Sequence, residues 1–284
     1  MGSRVPARLD ALVTANRFTI AVVFPLVGAM LLLASAEGWL PAPLSFNPWL
    51  VLFGVAVMRL PLIAGILPLV DRRVAAVLVA VVGYVYAIEY LGVTTGWPYG
   101  EFAYGVALGP MLGGVPVGLP LFFLPLVLDG LLLVVVALRS GAGRRLVRLP
   151  LAVAVVIGVD LVLDPGAVAL GFWTYLAGGP YYGVPLSNFL GWTMSALLVV
   201  AALDWALWGP AFRARVDRCP FILDDLVSFV LLWGAINAFY GQWLPVAIAA
   251  GFGAALLRSG RITVPRHRGE IVRVLAGVAT GRSR

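Results

Sequence analysis

The sequence predicts an all-α, polytopic membrane helix bundle of about eight transmembrane helices, with both termini in the cytoplasm. Three observations predict it: an apolar composition, apolar stretches of spanning length, and a one-sided distribution of arginine. Of the 284 residues, 62% are hydrophobic and 12% are charged, and the mean hydropathy is +1.00. Soluble domains carry about 25% charged residues. The composition therefore excludes an ordinary soluble domain and indicates that a lipid bilayer surrounds the chain.

Eight apolar stretches are candidate spans, since a helix needs about 20 residues to cross the hydrocarbon core. They lie at roughly 18–36, 49–70, 74–91, 115–138, 149–171, 186–208, 221–240 and 242–257. The last stretch is short and its connection at Gly241 is tight, so a single re-entrant segment, giving seven spans, is the alternative. We interpret the first stretch as a retained helix. One membrane domain then occupies residues 1–257, and a basic cytoplasmic tail occupies residues 258–284.

The arginines predict which ends of the spans face the cytoplasm. The chain has 20 Arg and no Lys, and 19 of these Arg lie at the N-terminus, in the even-to-odd connections or after the last span. The intervening connections, near 37–48, 92–114, 172–185 and 241, contain no Arg. Because Lys and Arg accumulate in short cytoplasmic loops, these connections are expected to face outward. The net charge of +7 is thus explained by topology, and we expect a multi-pass cell-membrane protein with no nucleic-acid partner.

Several polar side chains fall inside the apolar stretches, where charge is costly and often functional. Asp160 and Asp164 lie one turn apart on one helix face. Arg59 lies near the predicted midplane and needs a carboxylate, for which we expect Asp160 or Glu89. Three carboxyl groups exceed what one arginine neutralises, so at least one is expected to be protonated. The full set, predicted to meet in the outer half of the bundle, is Arg59, Glu89, Asp160, Asp164, Asn188 and Asn237.

The alternative for this set is that its members only pair with one another and hold the helices together. A second acidic set lies toward the predicted cytoplasmic face. We expect it to form interfacial salt bridges near Arg213, Arg215 and Arg218. Its members are Asp129, Asp204, Asp224 and Asp225.

The outward connections are rich in aromatic residues, Gly and Pro, which predicts folded loops that cover the bundle. Trp and Tyr are also ordinary anchors at the membrane interface, which is the alternative for these residues. A lid of this kind would hold an apolar ligand with its end at the carboxyl groups. The residues concerned are Trp97, Tyr99, Glu101, Tyr104 and Trp173, together with Trp192 in the sixth stretch.

The residues that the chain lacks narrow the chemistry. One histidine, His267, and one cysteine, Cys219, cannot form a multi-histidine metal site or a thiolate cluster. No Gly-x-Gly-x-x-Gly fingerprint indicates a bound dinucleotide. Asp160 and Asp164 have the Asp-x-x-x-Asp spacing of intramembrane prenyltransferases, which use magnesium, but no companion motif accompanies it. Acid–base catalysis by carboxyl groups, with no metal and no cofactor, is what remains.

Four motifs in one order resemble the membrane carotenoid hydratase family. They are residues 89–104 (EYLGVTTGWPYGEFAY), 160–165 (DLVLDP), 171–173 (GFW) and 183–192 (GVPLSNFLGW). The resemblance implies addition of water to the terminal C=C bonds of an acyclic C50 or C40 carotenoid, giving tertiary alcohols. It also implies a place in carotenoid biosynthesis, where association with other membrane enzymes of the pathway is expected.

Hydration of such an alkene needs an acid to protonate it and a base to activate water. We predict Asp160 or Asp164 as the proton donor and Glu89 as the base that orients water. The predicted substrate-binding residues are Arg59, Trp97, Tyr99, Glu101, Tyr104, Trp173, Asn188, Trp192 and Asn237. Two alternatives from other classes are a non-catalytic carotenoid-binding membrane protein and a proton-coupled transporter. An internal repeat would favour the transporter, and we detect none.

Overall fold

The structure, a computed structural model, describes residues 4–261. The predicted tail at residues 258–284, with His267, therefore lies almost entirely outside the described residues. Within the described part, the chain forms eleven α-helices and two small two-stranded sheets.

The helices follow the predicted apolar stretches in order. They are α1 (Arg4–Phe18), α2 (Phe24–Ala36), α3 (Pro48–Met58), α4 (Leu60–Ile66), α5 (Arg72–Thr95), α6 (Leu119–Leu138), α7 (Arg145–Ala169), α8 (Leu186–Leu207), α9 (Pro210–Arg218), α10 (Asp224–Phe239) and α11 (Trp243–Arg258). The strands are β1 (Phe102–Tyr104), β2 (Met111–Leu112), β3 (Val115–Pro116) and β4 (Trp173–Tyr175). β1 pairs with β4 and β2 pairs with β3, both antiparallel.

By length and composition, five helices of the described chain can cross a membrane, or six if the bent pair α3–α4 counts as one span. α1 and α2 join through a π-helical turn at Thr19–Val23 into one 32-residue helix. α10 and α11 are two separate helices that pack against each other. Each has 16 residues, fewer than a span of about 20 needs, so eight full crossings remain a prediction.

Local sequence explains several helix boundaries. The side chain of Asn47 accepts hydrogen bonds from the backbone N–H groups of Trp49 and Leu50 and so caps α3. Asp71 caps α5 in the same way through Val74 N, at 2.8 Å. α5 ends at Gly96, whose φ of 75° is the left-handed conformation that glycine adopts at helix ends.

The helix break between α3 and α4 lies at Arg59 and bends the chain by 46°. Pro61 follows it, and a proline supplies no N–H to the preceding turn. Arg59 is buried, and its Nη1 lies 2.6 Å from Oδ2 of Asp225, while its Nε donates to the Leu121 carbonyl at 3.2 Å. Asp129 lies beside this pair.

The predicted partner of Arg59, Asp160 or Glu89, is therefore wrong. Asp225 lies in the first turn of α10, a helix that packs against α4 and α6. Counting residues along a span gives the depth of a side chain but leaves its rotation about the helix axis open. That rotation decides which neighbour it meets.

Asp204, Asp224 and Asp225 of the second acidic set form salt bridges, though not with the three arginines near which we expected them, and Asp129 forms none within the described residues. Asp204 pairs with Arg148 at 2.7 Å and with Arg145 at 3.3 Å. Asp224 pairs with Arg17 at 2.7 Å.

Arg215, in contrast, pairs with Asp10 at 2.7 Å, and this ion pair joins α1 to α9. The contacts gather arginine-bearing connections at one end of the bundle: Arg17 also donates to the Pro220 carbonyl, and Arg73 donates to the Trp205 carbonyl. The pairing of β1 with β4 joins two arginine-free connections to each other. The assignment of these two groups to the two sides of the membrane remains a prediction.

We expect β1 to face outward, because positive residues mark the cytoplasmic side. In a Cys219→Ala background, a membrane-impermeant maleimide should label Ala103→Cys in intact cells. Ala103 is exposed in β1. Ser140→Cys, exposed beside Arg139, should be labelled only after permeabilisation. Labelling of Ala103→Cys from the cytoplasmic side alone would reverse the orientation.

The Arg59–Asp225 pair should be structural. Arg59→Leu and Asp225→Leu should each lower the amount of folded protein, because each leaves a buried charge unpaired at a cost of about 3–5 kcal/mol. The double variant should recover part of the loss, since two apolar side chains replace a buried ion pair. Thermal unfolding of the three purified variants measures this. A double variant that is less stable than both single variants would contradict the pairing.

Candidate functional site

A small aromatic sheet closes one end of the bundle. β1 and β4 pair with Phe102 opposite Tyr175 and Tyr104 opposite Trp173. Side chains alternate along a strand, so these four rings share one face, while Ala103 and Thr174 point away from it and are exposed. The ring centroids of Phe102 and Tyr175 are 6.0 Å apart, and those of Tyr104 and Trp173 are 6.5 Å apart. The predicted lid is thus a paired sheet with an aromatic inner face.

Each strand of this sheet brings one tyrosine to one carboxyl group. The hydroxyl of Tyr104 donates to Oε1 of Glu89 on α5, and that of Tyr175 donates to Oδ2 of Asp164 on α7, at 3.0 Å. Burial raises the pKa of both phenols, so both remain hydrogen-bond donors at neutral pH. The sheet therefore fixes two carboxyl groups that come from different helices.

Asn188 links the two aspartates of α7. It lies in the first turn of α8, and its Nδ2 donates to Oδ2 of Asp160 at 3.1 Å and to Oδ2 of Asp164. Asp160, Asp164 and Asn188 are each at most 2% exposed. The other oxygen of Asp160 has no hydrogen-bond partner among the described residues. A single amide thus holds two buried carboxyl groups side by side.

The carbonyl groups around Pro165 are satisfied by side chains, which keeps α7 continuous to Ala169. Pro165 has no N–H for the carbonyl of Leu161, and the hydroxyl of Tyr181 donates to that carbonyl instead, at 3.0 Å. Nδ2 of Asn237 donates to the Val162 carbonyl at 2.8 Å. α7 therefore continues through Pro165 and Gly166 without a break.

A cavity of about 680 Å³ begins at these carboxyl groups. Glu89, Asp164 and Asn188 form its polar end, under the aromatic sheet. The remaining wall is mainly apolar and comes from α2, α3, α6 and α10. The wall includes Val27, Leu31, Val51, Gly54, Met58, Phe123, Leu126 and Leu232, with Arg59 as its charged member away from the carboxyl end.

Aromatic side chains also pack along one side of the cavity. Trp192 stacks on Phe123 with ring centroids 4.8 Å apart. The hydroxyl of Tyr99 lies 3.0 Å from Oγ of Ser195, which lies 3.0 Å from the hydroxyl of Tyr84. The arrangement suits an elongated apolar ligand whose end lies against Glu89 and Asp164.

The structure brings most of the predicted site residues to this cavity. Those that line it are Arg59, Glu89, Tyr99, Tyr104, Asp164, Trp173, Asn188 and Trp192. Asp160 lies one turn behind Asp164 and is not part of the wall.

Three predicted site residues lie elsewhere. Trp97 is 54% exposed. Glu101 is also exposed, because it precedes Phe102 and side chains alternate along the strand. Asn237 is buried, but it supports the backbone of α7 and does not reach the cavity. The structure therefore does not bring these three predicted residues to the cavity.

Sequence reasoning did not select Phe102, Phe123 and Tyr175, which also line the cavity. The alternation Phe102-x-Tyr104 and Trp173-x-Tyr175 is the strand signal that could have found the paired sheet. Among residues 4–261, no group of three or more His, Cys, Asp or Glu side chains could hold a metal ion.

Comparison with known proteins identifies the family of the chain. The profile of the family described as carotenoid biosynthesis protein matches residues 46–256. A bisanhydrobacterioruberin hydratase of Haloarcula japonica is 60% identical over 256 residues, which cover 90% of this chain and 87% of that protein. No solved structure matches. The chain belongs to the carotenoid biosynthesis protein family.

Proposed function

We propose that this protein is a membrane carotenoid hydratase, which adds water to the terminal C=C bonds of a long acyclic carotenoid. The observation that carries the proposal is an apolar cavity that ends on two carboxyl groups, Glu89 and Asp164. The activity named for the Haloarcula japonica relative supports it and favours a C50 substrate over a C40 one. The protein is proposed to be a multi-pass cell-membrane protein that acts beside other enzymes of the pathway.

The reaction needs two opposite proton transfers. An acid protonates the less substituted alkene carbon, and a base takes a proton from the water that captures the resulting tertiary cation. Two carboxyl groups at one end of a cavity can do both. Aromatic faces stabilise a nearby cation, and Tyr104 and Trp173 form part of the wall at this end. We propose that no metal or cofactor takes part.

The hydrogen bonds favour one assignment of the two roles. Asp164 accepts from both Tyr175 and Asn188, whereas Glu89 accepts from Tyr104. Donors to a carboxylate stabilise its charge. We therefore assign Asp164 as the carboxylate that orients water and Glu89 as the proton donor, which reverses the roles predicted from the sequence.

Asp160 is then a positioning residue, because it acts on Asp164 through their shared partner Asn188. Proton transfer from Asp164 back to Glu89 completes the cycle. The cycle consumes one water for each bond hydrated and no other reactant.

Expression in hosts that make acyclic C50 or C40 carotenoids tests the activity and the residues together. Pigment masses should rise by one water for each end hydrated, also under anaerobic conditions and in membranes treated with a chelator. Glu89→Gln and Asp164→Asn should each reduce hydration about 10²- to 10⁴-fold, since each removes one proton-transfer group. Asp160→Asn should reduce it less.

Glu101→Gln is the matched control, because Glu101 is an exposed carboxyl next to the same sheet. It should hydrate normally, and immunoblots should show equal protein levels for all variants. Unchanged pigment masses with the wild-type protein in every host would contradict the hydratase function and favour a carotenoid-binding protein or a transporter. Normal hydration by both Glu89→Gln and Asp164→Asn would place the chemistry elsewhere.

The cavity itself can be blocked at Gly54, which lies in its wall on α3. Apart from its chain neighbours and the backbone of its own helix, no described atom lies within 4 Å of the position that a Cβ would take there, so a larger side chain would enter the empty space. Gly54→Phe should therefore reduce hydration strongly while the protein still folds.

Gly251→Phe is the control for Gly54→Phe. Gly251 is an exposed helical glycine on α11 whose Cβ position is also open, and it is not part of the cavity wall. This variant should hydrate normally. Equal activity of the two variants would show that the carotenoid does not occupy the cavity.

A further inference from the structure

A second cavity, of about 640 Å³, lies at the arginine-rich end of the bundle. It is formed by the end of α6, the 3-10 turn Arg139–Gly143, α9 and the end of the described chain after α11. Three arginines, Arg139, Arg213 and Arg261, line it together with one acid, Asp217. None of these residues belongs to the site proposed for hydration.

The arginines of this cavity are poorly neutralised. Two acids outside the cavity wall are paired with other arginines: Asp204 with Arg148 and Arg145, and Asp224 with Arg17. Within the described residues, no carboxylate lies within 4.0 Å of the guanidinium of Arg139, Arg213 or Arg261. Three guanidinium groups against one carboxylate leave the cavity with an excess of two positive charges.

The groups that contact the side chains of Arg261 and Arg213 are uncharged, so they do not neutralise the positive charge of the cavity. Arg261 donates to the backbone carbonyls of Asp217 and Cys219, which are neutral. Arg213 lies 5.8 Å from the ring of Trp208, whose ring also lies 3.4 Å from Arg148. Arg139 has a φ of 50°, an uncommon conformation for a residue with a side chain.

The helix α9 adds to the positive potential. It begins at Pro210, in the wall of the cavity, and a helix N-terminus favours an anion. Residues 262–284 contain five Arg and one Glu, so they add more positive than negative charge to the chain. An anion from outside the chain would offset the excess positive charge of the cavity.

The wall also has an apolar part, which includes Val135, Val136 and Ala142. An apolar wall beside arginines, at the end of a membrane bundle, suits an anionic group that belongs to an amphiphile. We propose that this cavity binds a phosphate group through Arg139 and Arg213, carried either by an anionic lipid headgroup or by free phosphate. Such a site would fix the positions of α6 and α9 relative to each other.

Native mass spectrometry of the purified full-length protein tests the proposal with phosphatidylglycerol, phosphatidylcholine and inorganic phosphate as probes. The protein should retain phosphatidylglycerol over phosphatidylcholine. Loss of two arginine contacts, in the double variant Arg139→Gln/Arg213→Gln, should reduce that retention roughly tenfold or more. The double variant Arg139→Lys/Arg213→Lys keeps the charge and should retain most of it.

The control is Arg72→Gln/Arg218→Gln, which removes the same charge from two exposed arginines outside the cavity. It should retain lipid like the wild-type protein. If inorganic phosphate alone raises the unfolding temperature of the wild type but not of Arg139→Gln/Arg213→Gln, free phosphate is the source and the site stands. Equal losses of phosphatidylglycerol in both Gln double variants would overturn the proposal. So would the absence of both a preference for phosphatidylglycerol over phosphatidylcholine and a stabilisation by inorganic phosphate. Hydration activity does not enter this readout.

Discussion

Backbone hydrogen bonds between Phe102–Tyr104 and Trp173–Tyr175 join the connection after α5 to the connection after α7, and the candidate site depends on this pairing. The two strands have three residues each, so their hydrogen bonds alone contribute little stability. The packing of their aromatic inner face over the cavity supplies the remaining stability of the sheet. Tyr104 and Tyr175 donate hydrogen bonds from that face, so a shift of one strand by one residue would turn the tyrosine of that strand away from its carboxyl group.

The other side of the site is held by the backbone of α7. Asp164 directly precedes Pro165, where a helix would otherwise kink. Tyr181, Asn237 and Gln242 donate to carbonyl groups of Leu161, Val162 and Pro165. These three side chains come from the connection before α8, from α10 and from the turn before α11. The position of the Asp164 carboxyl group is therefore fixed by contacts with several parts of the chain, and not by α7 alone.

The sequence predicts the features that depend on local pattern. The lengths of the apolar stretches predict the helical segments, and helical spacing predicts that Asp160 and Asp164 share one face. Contacts between distant side chains are not predicted correctly where they depend on the rotation of a helix or the register of a strand. The partner of Arg59 is Asp225 for the first reason, and Glu101 points away from the cavity for the second. Tyr175 was not selected because its role appears only when two distant loops pair.

The corrected partner of Arg59 changes the chemistry that the site can perform. With Arg59 paired to Asp225, no arginine of the described chain lies within 4.0 Å of the carboxyl groups of Glu89, Asp160 or Asp164. Neutral donors surround these three groups: Tyr104, Tyr175 and Asn188. A fixed cation would hold one carboxylate permanently charged and make it a poor proton donor. Carboxyl groups among neutral donors can exchange a proton with each other, which is what a reaction that gives one proton to an alkene and takes one from water requires.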